Sequence, residues 1–104
     1  MKESSVKELK ERMDKNEDFQ LLDIRETNEY EYCNIGGELL PMGDVMSNLD
    51  SIARDKDVII HCKAGGRSAA MTQALMARGF DNVINLKGGI LAWSAEIDPS
   101  IPTY

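Results

Sequence analysis

The sequence predicts an α/β fold: a single domain over residues 1–104, with a mostly parallel central sheet and helices on both faces. Three observations lead there. Short apolar runs alternate along the chain with segments of helical periodicity, the order from which right-handed strand–helix–strand crossovers are built. The run Asp57-Val58-Ile59-Ile60-His61 is β-branched and apolar at successive positions, as suits a strand covered on both sides. A chain of 104 residues, 42% of them apolar, also suffices for one core without metal or disulfide staples.

The elements follow in order. Ser5 precedes Val6, Leu9 and Met13, with Glu8 three residues on, a capping box opening an amphipathic helix near 5–15. Gln20-Leu21-Leu22-Asp23-Ile24 reads as a strand and Thr27 to Tyr32 as a helical turn ahead of Gly36-Gly37. Glu38-Leu39-Leu40-Pro41-Met42 reads as a second strand, its proline placing it at a sheet edge or a strand end. Met46, Leu49, Ile52 and Ala53 recur at i, i+3, i+6 and i+7, which predicts a helix over about 44–54. Residues 57–61 form the central strand, Ser68 to Arg78 a helix stopped by Gly79, and Asn82 to Leu86 the next strand. Lys87-Gly88-Gly89 then turns into a last helix over Ile90–Ile97, with Trp93 in the core.

Composition narrows the function. With 12 Lys+Arg against 18 Asp+Glu the formal net charge is −6, and no basic stripe is present, which argues against a nucleic-acid binder. Apolar runs are only a few residues long and the opening Met1-Lys2-Glu3-Ser4-Ser5 lacks an apolar stretch, so no membrane association is expected and the cytoplasm is the expected compartment. Two cysteines, Cys33 and Cys62, and one histidine suggest neither a metal site nor a disulfide framework.

The chemistry concentrates in Cys62-Lys63-Ala64-Gly65-Gly66-Arg67-Ser68. Cys62 falls at the carboxyl end of the central strand, where open α/β sheets bind their ligands. Adjacent glycines let successive N–H groups turn inward, and the following helix adds the partial positive charge of its N-terminus. Residues 58–80 contain Lys63, Arg67 and Arg78 and no acid. Such a setting favours thiolate, so Cys62 is the expected nucleophile. His61, one residue earlier, should point to the opposite face of the sheet. A thiolate in a backbone cradle serves phosphoryl or sulfur transfer. The pattern C-x-x-x-x-R is one residue shorter than the H-C-x-x-x-x-x-R-[ST] of cysteine phosphatases and arsenate reductases, although His61 and Ser68 match the flanks of that pattern.

Three segments together resemble the rhodanese-like family: the C-x-x-G-x-R loop at Cys62, Leu21-Leu22-Asp23-Ile24-Arg25-Glu26-Thr27-Asn28-Glu29-Tyr30, and Asn85-Leu86-Lys87-Gly88-Gly89-Ile90-Leu91-Ala92-Trp93. The closing Asp98 to Tyr104 and Glu29 to Ile35 are similar to the rhodanese domain at the C-terminus of E1-like sulfur-carrier adenylyltransferases, except that Cys33-Asn34 stands where the family often has Gly-His. The resemblance implies a rhodanese-like fold and a sulfurtransferase with Cys62 as catalytic residue. It implies Lys63, Ala64, Gly65, Gly66, Arg67 and Ser68 as the substrate-binding loop, and no metal or organic cofactor. Lys63 is the residue expected to meet an anionic donor such as thiosulfate. A protein persulfide is the other donor, and a sulfur-carrier protein or E1-like adenylyltransferase the expected partner. Asp23, Arg25 and Glu29 are expected to brace the loops or to touch substrate. Cys33 is either a resolving thiol or an unreactive loop cysteine. A phosphatase or arsenate reductase, and a non-catalytic binding module, remain alternatives at this stage.

Overall fold

The computed structural model describes all residues 1–104. Five parallel strands form one sheet in the order β1-β5-β4-β2-β3, with β1 at Lys2–Ser4, β2 at Gln20–Asp23, β3 at Glu38–Leu39, β4 at Val58–His61 and β5 at Val83–Leu86. The apolar run at 58–61 is the middle strand, every residue of it buried. β3 is a two-residue edge strand that ends before Pro41, as the missing proline N–H requires. β1 was not anticipated: Lys2 and Glu3 are exposed and only Ser4 is buried, so no apolar pattern marks it.

Side-chain alternation divides the core in two. Leu22, Ile24, Val58, Ile60 and Cys62 face helix α3 (Gly66–Ala77) through Met71 and Leu75, joined by Val45 and Ile52. Ile59 and Leu86 face α1 (Val6–Asp14) and α4 (Gly89–Glu96) through Val6, Leu9 and Trp93. The short α2 spans Thr27–Tyr32. Helices thus cover both faces, as expected. The capping box of α1 forms as read: the Glu8 N–H donates to Ser5 Oγ at 3.1 Å and the Ser5 N–H to Glu8 Oε1 at 2.9 Å. No helix is long and apolar enough to cross a membrane.

One expectation fails. Residues 44–54 form no α-helix but two single 3₁₀ turns, Met42–Asp44 and Leu49–Ser51. The Asp44 carbonyl, which an α-helix would give to the Asn48 N–H, is taken instead by Asn48 Nδ2 at 2.7 Å and Ser47 Oγ at 3.1 Å. The Asn48 N–H turns to the Val45 carbonyl, and Asn48 leaves helical geometry at φ −132°. Short polar side chains that compete for backbone groups end helices this way. The apolar spacing still reports burial correctly, because Met46, Leu49, Ile52 and Ala53 all pack on the α3-side core. α3 also begins at Gly66, two residues before the expected Ser68.

Candidate active site

The site is assembled where β4 ends and α3 begins. Gly65 adopts φ +104°, a left-handed conformation that favours glycine, and reverses the chain so that N–H groups converge on Cys62. The Gly65 N–H donates to Cys62 Sγ at 3.2 Å and the Ser68 N–H at 3.4 Å, while Ser68 Oγ lies 3.3 Å from the sulfur. Ser68 Oγ is also 3.2 Å from the Gly65 carbonyl. Its one proton serves one acceptor at a time, so it turns to Sγ when the thiol ionises. Burial opposes the thiolate. The hydrogen bonds from Ser68 and Gly65 and the charge of Arg67 outweigh it, and the Cys62 pKa lies below its ordinary value.

Arg67 closes the loop by a two-pronged contact with Glu29, Nη1 to Oε1 at 2.8 Å and Nη2 to Oε2 at 3.0 Å. Glu29 further accepts from the Glu26 N–H at 2.9 Å and the Tyr104 hydroxyl at 2.7 Å. Arg25 is fully buried and donates to both Asp23 oxygens, to the Cys33 carbonyl at 2.8 Å and to Tyr104 Oη at 2.9 Å. Asp23, Arg25 and Glu29 therefore form a continuous brace behind α2 and the Cys62 loop, and none of them bonds to Sγ. His61 lies on the Asp23 side of the sheet, with Nδ1 3.2 Å from the Cys62 carbonyl and Nε2 3.4 Å from Asp23 Oδ2. Burial pushes its pKa down, with Arg25 adding to that effect and Asp23 and the Cys62 carbonyl opposing it. It points away from the sulfur, and its buried Nε2 has no hydrogen-bond partner. Cys33 Sγ meets the Pro102 carbonyl at 3.6 Å, and Ala64 and Gly66 are exposed on the loop.

Two contributions escaped the sequence. The N-terminus of α4 holds the back of the loop, with the Ile90 N–H donating to the Cys62 carbonyl and the Leu91 N–H to the Lys63 carbonyl, both at 3.0 Å. Gly88-Gly89, expected only to turn the chain, permits this approach, since a Cβ on Gly89 would lie 2.5 Å from the Lys63 oxygen. A glycine pair opening a helix was the available signal. The other is Tyr104, whose hydroxyl joins Arg25 to Glu29 and whose ring lies 4.4 Å from Lys63 Nζ. The largest surface hollow, about 500 Å³ between α1 and the β1 edge, takes in no residue of this loop and none of the chemistry.

The Arg67 contact holds the Glu29 carboxyl at about 2, aided by the Glu26 N–H and Tyr104 and opposed by burial. In the unfolded chain this carboxyl titrates near 4.5, so the pair stabilises the fold at neutral pH and that contribution drains away as pH falls from about 4.5 to about 2. Urea stability measured against pH should therefore show wild type losing its advantage over Glu29→Gln across that interval. A constant gap between the two curves would contradict the pairing.

A cysteine cradled by N–H donors between a central parallel strand and a helix is the class of site that this α/β sheet builds. Residues 5–96 match the Rhodanese-like domain family, and the chain belongs to it. A sulfurtransferase of Allochromatium vinosum is 39% identical over 87 residues, covering 83% of this chain and 81% of that protein. The crystal structure of a rhodanese-like domain protein from Staphylococcus aureus superposes with a TM-score of 0.85 at 30% identity, over 100% of this chain and 99% of that one. Other relatives are longer. The rhodanese-like/PpiC domain-containing protein 12 of Arabidopsis thaliana is 37% identical across the whole chain, which spans 38% of its length. The probable adenylyltransferase/sulfurtransferase MoeZ of Mycobacterium tuberculosis is 31% identical over 94% of the chain, which spans 26% of its length.

Proposed function

We propose that the protein is a sulfurtransferase that carries a sulfane sulfur on Cys62. The observation that carries this reading is the set of three polar groups on one sulfur, the Gly65 and Ser68 N–H donors and the Ser68 hydroxyl, in a loop with four residues between Cys62 and Arg67. With thiosulfate as donor, the Cys62 thiolate attacks the outer sulfur, the new S–S bond forms as the old one breaks, and sulfite leaves with the electron pair. The same donors that hold the thiolate then stabilise the persulfide anion. A nucleophilic acceptor, such as cyanide in an assay, takes the outer sulfur and returns the thiolate. Membership of the rhodanese-like family and relatives named sulfurtransferase support the reaction class. The relative named adenylyltransferase/sulfurtransferase supports an adenylyltransferase as partner; a sulfur-carrier protein as partner and a protein persulfide as the alternative donor belong to the same proposal. The loop, Lys63 to Ser68, is the proposed substrate-binding element, and the chemistry calls for no cofactor.

Intact-mass measurement after incubation with thiosulfate tests the proposal. A gain of one sulfur atom, lost again on adding cyanide, is the expected result. An unchanged mass together with hydrolysis of aryl phosphates would place the protein with the phosphatases instead.

Lys63 is the loop cation without a carboxylate partner, since Arg67 is paired with Glu29. An exposed charge contributes about 1 kcal/mol or less, so Lys63→Ala should raise the KM for thiosulfate several-fold and leave kcat nearly unchanged. The effect should fade in high salt. A large fall in kcat at constant KM would instead assign Lys63 to the transition state.

A further inference from the structure

Charge around the Cys62 loop is largely cancelled in place: Arg25 is paired with Asp23 and Arg67 with Glu29. Lys63, adjacent to the nucleophile, has no ion-pair partner, and its ammonium rests on the Tyr104 ring at 4.4 Å. That ring is itself fixed at three points. Its hydroxyl accepts from Arg25 at 2.9 Å and donates to Glu29 at 2.7 Å, and the Tyr32 ring packs edge-on against it at 5.9 Å. Through Glu29 the phenol is tied to Arg67, so one aromatic residue links the first residue after Cys62 to the residue that closes the loop. A lysine side chain otherwise has freedom in four torsions, and an anchored aromatic face restricts where its charge resides.

We infer that Tyr104 is a positioning residue that holds the Lys63 ammonium beside the Cys62 loop and thereby sets the preference of Cys62 for anionic reaction partners. The inference rests on the sulfur-transfer reading only for the identity of the natural anion. Arg25 and Glu29 hold the ring, the ring holds Lys63, and Lys63, one residue after the nucleophile, carries a positive charge with no ion-pair partner. Tyr104 touches no reacting atom, and its effect is felt through Lys63 alone.

The test uses two alkylating probes that differ in charge, iodoacetate and iodoacetamide, with the ratio of their rate constants at Cys62 measured by mass spectrometry at low ionic strength. In both reactions the thiolate forms an S–C bond and iodide leaves, so the ratio isolates the response to a negative charge and does not depend on sulfur transfer. Lys63→Ala should lower the iodoacetate-to-iodoacetamide ratio several-fold. Tyr104→Leu should lower it to the same level, and the double variant should fall no further. Tyr104→Phe, which keeps the ring face but loses the hydroxyl's bonds to Arg25 and Glu29, should fall between wild type and Tyr104→Leu. Circular dichroism melting of each variant checks that the fold persists. An unchanged ratio in Tyr104→Leu, or a double variant well below Lys63→Ala, would overturn the inference. Failure of the sulfur-transfer reading has a separate signature, namely no sulfur gained by wild type while these ratios hold.

Discussion

Cys62→Ser should abolish sulfur transfer to cyanide while leaving the melting temperature nearly unchanged. The serine oxygen would meet the same Gly65 and Ser68 donors that now address the sulfur, so the loop keeps its hydrogen bonds. A hydroxyl in that position does not ionise near neutrality and forms no persulfide, and loss of the nucleophile should cost at least about 1,000-fold in rate. Mass spectrometry should then record no sulfur gained from thiosulfate. Selective alkylation gives an independent reading: at pH 6 iodoacetamide should modify Cys62 much faster than Cys33, whose sulfur meets the Pro102 carbonyl instead of converging N–H groups. Equal rates at the two cysteines, or sulfur transfer surviving in Cys62→Ser, would remove Cys62 from its proposed role.

The second large effect is expected at Gly89→Ala, which touches no reacting group. Gly89 has φ +57°, and a Cβ there would stand 2.5 Å from the Lys63 oxygen and 2.7 Å from both the Cys62 oxygen and the Lys63 carbonyl carbon. All three are backbone atoms, so no side chain can swing aside. Relief requires α4 to retreat from the loop, which breaks the Ile90 and Leu91 hydrogen bonds to the Cys62 and Lys63 carbonyls. The left-handed conformation alone costs alanine about 1–2 kcal/mol. With the overlap and the lost bonds the total should reach about 3 kcal/mol or more, on the order of 10–20 °C in Tm for a domain of this size. Gly36→Ala provides the control, since Gly36 also has positive φ, at +85°, but has nothing within 4 Å of the added carbon. Equal melting temperatures for the two variants would show that α4 does not clamp the loop. Sulfur transfer per folded molecule should fall in Gly89→Ala and hold in Gly36→Ala.

What could be read in advance follows from where each signal resides. β4 was legible because burial on both faces leaves an unbroken apolar run, and α1 because a capping box is a local hydrogen-bond pattern. Residues 44–54 misled because apolar spacing records which side chains are covered and not which carbonyls Ser47 and Asn48 occupy. β1 was silent because a three-residue edge strand with one buried side chain has no period to detect. The candidate loop around Cys62 could be located from contiguous residues. Asp23, Arg25 and Glu29 could be named as a brace, but their partners could not: Glu29 meets Arg67 across 38 positions and Tyr104 across 75, separations over which sequence carries no geometry. Gly88-Gly89 was visible as a turn, but only the folded chain reveals that its closeness is to Cys62.

The position of α4 behind the loop also bears on when the surroundings of Cys62 are completed. The strand leading to Cys62 is complete by His61, yet the carbonyls of Cys62 and Lys63 wait for Ile90 and Leu91, and Glu29 waits for Tyr104. During synthesis the cysteine thus emerges well before the residues that complete its surroundings, and non-local closures of this kind are slow steps in folding. A growing chain that has not yet closed the Gly65–Ser68 turn lacks the donors that lower the Cys62 pKa. The lowered pKa thus comes with the closed turn, and α4 enters only as the support behind the Cys62 and Lys63 carbonyls.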